Sequence, residues 1–264
     1  MPLSGDESVP GPAPGTLFME NDPFSVVKTC DSYKDLAKLV FFVIVPVLLL
    51  SVCALLLLDK TLKLGLDRME ASAFIQGAVY TLACLWALKG RGVEFKAVWR
   101  DWNSKVGRDA LTALKYFAGY LVIIGAMFAI VMLGIRFSGL TEAEFMRRLG
   151  GGGNKETYTA IQAVMGVSMW GFVLRLFTMC VLTPIGEELL FRRVMYTAFR
   201  KKMSFMRALF ASSVIFAVTH GTASLLVFPV SLLLGYVYEK KRRLPVNIML
   251  HGLINLFVMF VRLT

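Results

Sequence analysis

Residues Leu39 to Leu58 form a run of twenty positions without a charged side chain. A helix of that length rises about 30 Å, the thickness of a bilayer's hydrocarbon core. Lipid offers a peptide group nothing to hydrogen-bond, so a chain with such a run must fold it as a helix or as part of a closed barrel. Apolar stretches of similar length recur, giving candidate spans at 36–58, 71–88, 110–133, 161–186, 203–220, 222–239 and 244–262. They predict an all-α, polytopic membrane helix bundle of about seven transmembrane helices, with six to eight as the range. The mean hydropathy of +0.64 and a hydrophobic content of 56% agree, because soluble domains stay near 45–50% apolar.

A net charge of +11 raises the question of nucleic acid. The basic residues, however, fall between the apolar spans rather than along one amphipathic face, as the cytoplasmic loops of membrane proteins require. With a cytoplasmic N-terminus, 19 Lys and Arg lie on the cytoplasmic side and 8 on the other, while Lys115 and Arg175 stand inside spans. The expected partners are therefore the lipid bilayer and not nucleic acid, the orientation is N-in and C-out, and nothing in the chain specifies an oligomeric state. The four cysteines, Cys30, Cys53, Cys84 and Cys180, have neither disulfide-framework nor metal-type spacing.

Five of the nine prolines fall in the first 24 residues with Gly, Ser and acidic residues. That composition predicts a disordered tail and lacks the basic start and apolar centre of a signal peptide. Three regions are expected: a cytoplasmic tail over 1–35, N-terminal spans with amphipathic connections over 36–160, and a C-terminal core over 161–264. Glu94 to Lys105, with Phe95, Val98, Trp99 and Trp102, reads as an amphipathic helix lying on the cytoplasmic interface. Thr141 and Glu144 have capping-box spacing, and Gly150–Gly153 would end that helix as a hinge.

The chain owns two histidines, His220 and His251, both in apolar surroundings. Ionisable groups are expensive in a membrane and mark functional sites there. Upstream, Glu187 and Glu188 follow an apolar run and precede Arg192. A long helix from Trp170 to about Arg200, kinked at Pro184, followed by a turn at Lys201–Ser204 and an antiparallel return, brings Glu187 and His220 to similar depth. Glu188 and Arg192 are i and i+4, as are Phe216 and His220, and His251 and Asn255. Glu188–Arg192 is thus a natural ion pair that leaves Glu187 free, and three helices converge Glu187, His220, His251 and Asn255. A His220 near the cytoplasmic side requires the segment 222–239 to dip and return, or the helices to extend past the bilayer. Gly221 and Pro229 permit a break.

These residues resemble the three motifs of the CPBP family, also called the Abi or CAAX-protease-like intramembrane endopeptidases, which includes the type II CAAX prenyl endopeptidase. The motifs stand here as Glu187-Glu188-Leu-Leu-Phe-Arg192, Phe216-Ala-Val-Thr-His220 and His251-Gly-Leu-Ile-Asn255, in family order over roughly 165–262. The resemblance implies that Glu187 is the base that activates water, that His220 holds and polarises it, and that His251 and Asn255 stabilise the oxyanion. Glu188, Arg192 and Phe216 would support them. It implies an intramembrane protease acting on a hydrophobic or membrane-anchored peptide or protein, without a cofactor. A compact chain of this kind is expected in a bacterial inner or plasma membrane.

Three other readings use the same residues. Glu187, His220 and His251 match the two-histidine, one-carboxylate set of a catalytic zinc site, though the His-Glu-x-x-His helix is absent. A non-catalytic immunity or scaffold protein would bind a peptide through the site without cutting it. A transporter with a Glu/His proton relay would show paired repeats with broken helices, which the sequence lacks.

Overall fold

The computed structural model describes residues 30, 32–61, 68–139, 141, 144 and 169–261. Among them are seven helices and no strand: α1 (Tyr33–Thr61), α2 (Arg68–Lys89), α3 (Phe95–Ser138), α4 (Met169–Arg200), α5 (Phe205–Val218), α6 (Ser224–Lys241) and α7 (Leu244–Val261). Each corresponds to one apolar span of the sequence. The proline-rich tail and the Gly150–Gly153 run lie outside the described residues. Four helices are long and apolar enough to cross a membrane, over Ala71–Lys89, Phe95–Ser138, Met169–Arg200 and Leu244–Val261, and Phe205–Val218 is a shorter apolar helix. The chain is a multi-pass helical membrane protein. Its outer surface agrees: Phe128, Ile130 and Leu225 are more than 60% exposed, a face that lipid rather than water would cover.

The helix ends follow local chemistry. The Ser32 hydroxyl accepts from the Asp35 amide at 3.0 Å and caps α1, satisfying one of the free donors of a helix start. Gly92 (φ 92°) and Gly139 (φ 69°) bracket α3 in the left-handed region, where a glycine costs least. Pro245 sits in the first turn of α7, where its missing N–H is not needed. The Thr141–Glu144 capping box is formed: the carboxylate accepts from the Thr141 amide and hydroxyl at 3.0 and 2.9 Å, and the Glu144 amide donates back at 3.2 Å. Those bonds hold the Glu144 carboxyl below its usual range.

The segment Glu94 to Lys105 is not a separate interfacial helix. It is the first three turns of α3, which runs 44 residues without a break, about 66 Å at the usual rise. No proline interrupts it, and Asp101 and Asp109 are both bound by Arg243 from the α6–α7 turn. Arg243 donates Nη1 to Asp101 at 2.9 Å, and Nε and Nη2 to Asp109 at 2.7 and 2.5 Å. This clamp holds the amphipathic end of α3 against the bundle.

Two packed cores meet along α4 and α7. One joins Leu189, Leu190 and Tyr196 of α4 to Leu36 and Leu39 of α1 and Leu88 of α2. The other joins Ala113 and Tyr120 of α3 to Leu234 of α6 and Leu250 and Ile254 of α7. Helices α5 and α6 form a hairpin through His220, Gly221 (φ 58°) and a short 3-10 turn, Gly221–Ala223. With 14 residues, α5 rises only about 21 Å, less than a full hydrocarbon core.

Candidate active site

Helix α4 is the long helix the sequence predicts around Pro184, with one departure: Thr178–Leu182 and Glu188–Tyr196 are wound as π-helix. In the first π turn Thr183 donates its amide to the Thr178 carbonyl, five residues back. The next donor in that register would be residue 184, and proline has no N–H. The Met179 carbonyl is thus left without a helical donor, and Asn255 of α7 supplies one, its Nδ2 lying 2.8 Å away. Two further carbonyls of this stretch take side chains from α2: Thr81 Oγ1 donates to Leu182 at 3.1 Å and Cys84 Sγ to Gly186 at 3.8 Å. Neighbouring helices re-satisfy backbone freed by a proline, as membrane interiors require.

Glu187 and Glu188 are adjacent, so on a helix their side chains diverge by about 100°. The His251 ring lies between them. Its Nδ1 is 3.1 Å from Glu188 Oε1, and its Nε2 is 3.6 Å from Glu187 Oε2. Glu188 is fully buried and also accepts from Arg192 Nε at 3.2 Å and Asn247 Nδ2 at 3.1 Å. Arg192, equally buried, donates on to Ser231 of α6 at 3.2 Å. A buried carboxylate needs such partners, and here the ion pair foreseen between Glu188 and Arg192 is formed. Because a carboxylate only accepts, His251 Nδ1 carries the proton in that bond, and Nε2 is the nitrogen turned toward Glu187.

His220 approaches from the other side, with Nε2 3.8 Å from Glu187 Oε1. Its Nδ1 donates to the Phe216 carbonyl at 2.8 Å, which again leaves Nε2 to face the glutamate. Phe216 is a packing centre rather than a spacer. Its ring is 4.6 Å from His220, 4.8 Å from Phe191 and 6.0 Å from His251, and the Arg192 guanidinium lies 5.1 Å from its centroid.

The structure thus gathers Glu187, Glu188, Arg192, Phe216, His220 and His251. Asn255 stands one turn along α7 from His251, with one amide hydrogen committed to Met179. His220 stands beside Glu187 as the sequence reading expects, and His251, which that reading groups with Asn255, presents Nε2 to Glu187 as well. The sequence reading missed Asn247, whose Nδ2 bridges Glu188 and the Leu234 carbonyl at 2.7 Å. The signal was available: Asn247, His251 and Asn255 recur every four residues and share one face of α7.

Residues 168–257 match the family model described as Type II CAAX prenyl endopeptidase Rce1-like. This segment is similar to that family. All three motifs that resemble the CPBP family fall inside it. A Bacillus subtilis (strain 168) protein named "Putative membrane peptidase YdiL" is 32% identical over 85 residues, 31% of this chain. The chain matches about a third of that relative's length, 35%. No solved structure matches.

The matched segment does not complete the site alone. A cavity of about 480 Å³ opens beside Glu187 and His220, walled by Ile44 and Val47 of α1 and by Gln76 and Tyr80 of α2, all outside residues 168–257. Gln76 was also missed in the sequence, although an amide within the apolar span of α2 is the kind of signal that marks a site. Its side chain has no protein partner among the described residues.

Proposed function

We propose that this protein is an intramembrane endopeptidase that hydrolyses a peptide bond of a hydrophobic or membrane-anchored peptide or protein. The observation that carries the reading is Glu187, which faces the Nε2 atoms of two histidines at 3.6 and 3.8 Å and lines an apolar cavity. Those separations exceed direct hydrogen bonds, and a widening of about 1 Å lets one water bridge a pair. With Nδ1 protonated, a neutral His220 offers an acceptor at Nε2. A water between it and Glu187 donates one hydrogen to each and turns its oxygen lone pair toward the cavity. Glu187 takes the water proton as the oxygen attacks the peptide carbonyl, then returns it to the leaving amine. A carboxylate held out of bulk water is a usable base near neutral pH.

The oxyanion of the tetrahedral intermediate is met by His251, protonated at Nε2, and by the second amide hydrogen of Asn255. One such donor is worth about 3 kcal/mol of transition-state stabilisation. Glu188, with Arg192 and Asn247 behind it, orients the His251 ring. In this reading the N-terminus is cytoplasmic, the site lies in the cytoplasmic half of a bacterial membrane, and no metal takes part.

The test is Glu187→Gln, which keeps shape and removes the base. Loss of general base catalysis lowers the rate by about 10²–10⁴, read with purified protein on membrane-anchored peptides and by comparing the membrane peptidomes of wild-type and variant cells. A variant that keeps the full biological effect without cleaving identifies a binding or immunity protein instead. Activity is expected to survive strong chelation; loss on chelation with rescue by zinc overturns the metal-free mechanism.

A further inference from the structure

On the far side of α4 from the Glu187 cavity, a second groove of about 860 Å³ runs between the amphipathic start of α3, the end of α2 and the middle of α4. Its floor is apolar, formed by Leu85 of α2, Val98 of α3, and Ile185 and Leu189 of α4. Its rim carries Lys96 and Arg100, both exposed, with Trp99, 70% exposed, between them. Lys96 and Arg100 are i and i+4, an arrangement that costs a helix stability unless an anion lies across the pair. Neither has a carboxylate partner among the described residues. The neighbouring Asp101 is already bound by Lys105 and Arg243.

We propose that this groove binds one anionic phospholipid, its headgroup phosphate held by Lys96 and Arg100 and its acyl chains laid along Leu85, Val98, Ile185 and Leu189. Charge complementarity selects the headgroup, and the depth is right. The groove begins at the α2–α3 turn, past the apolar window of α2, where an exposed tryptophan sits at the level of lipid headgroups. The site is independent of the protease reading, since it uses none of the residues assigned to hydrolysis. It does place lipid against Ile185, two residues from Glu187.

The full-length protein in nanodiscs of mixed phosphatidylglycerol and phosphatidylcholine, analysed by native mass spectrometry, tests the assignment. Wild type is expected to retain one phosphatidylglycerol preferentially. Near a membrane each basic side chain is worth about 5-fold in anionic-lipid binding, so the double variant Lys96→Gln/Arg100→Gln loses about 25-fold. Thermal unfolding confirms that the variant is folded. Lys38→Gln/Lys89→Gln, at the equally basic α1–α2 surface, is the control and keeps the retained lipid. Three outcomes overturn the proposal: an unchanged preference in Lys96→Gln/Arg100→Gln, an equal loss in the control, or displacement of the lipid by inorganic phosphate.

Discussion

His251 is one imidazole touching two neighbouring carboxylates, and their different surroundings divide the labour. Glu188 has no exposed surface and holds Arg192, Asn247 and His251. Glu187 keeps 16% of its side chain exposed, toward the cavity, and faces both histidines. In the proposed mechanism the first holds position and the second exchanges a proton. Glu188→Gln is therefore expected to act on stability first. Removing one partner of a buried ion pair leaves Arg192 uncompensated, which costs about 3–5 kcal/mol. A clear drop in the thermal midpoint of the detergent-solubilised protein checks it, whereas Glu187→Gln should leave that midpoint close to wild type.

At the scale of elements, α4 is held by close approach as much as by hydrogen bonds. A Cβ on Gly252 of α7 would collide with the Cys180 carbonyl of the first π turn. That contact is backbone and cannot swing aside, so Gly252→Ala pushes α7 away and moves the adjacent His251. Overpacking of this kind costs about 1–3 kcal/mol, and hydrolysis should fall along with stability. Gly107 of α3 has nothing within 4 Å of its added Cβ. There Gly107→Ala gains helix propensity, up to about 1 kcal/mol, and leaves activity unchanged. Parallel thermal unfolding of the two variants separates the effects; equal behaviour would contradict the packing account.

For the molecule as a whole, the Arg243 clamp decides whether α3 stays part of the bundle. Its charge is spread over Asp101 and Asp109 through three donors, a forked geometry that lysine cannot reproduce. Arg243→Lys is expected to lose much of the stability that Arg243→Gln loses, with increased protease or hydrogen-exchange susceptibility along 95–110. Full retention by the lysine variant would show that charge alone suffices. Since α3 also packs on α6 and α7 through the core around Ala113 and Leu250, loosening it reaches the helix that carries His251.

The helical membrane fold and the three motif segments were legible without coordinates. Burying an unpaired peptide group in lipid is prohibitive, so twenty apolar residues leave little choice but a helix, and a fixed i, i+4 spacing places Glu188 with Arg192 and Phe216 with His220. The Pro184 helix and the Lys201–Ser204 turn follow from the same local rules. What no local rule contains is which way each imidazole turns. That depended on Phe216 offering a carbonyl to one ring and Glu188 a carboxylate to the other, contacts that arise only when α4, α5 and α7 are packed together. Tertiary structure likewise drew Asn255 to the Met179 carbonyl that Pro184 leaves without a donor, merged the amphipathic segment into α3 through Arg243, and brought α1 and α2 to wall the cavity. Short-range periodicity determined the parts, and long-range satisfaction of buried polar groups decided how they meet.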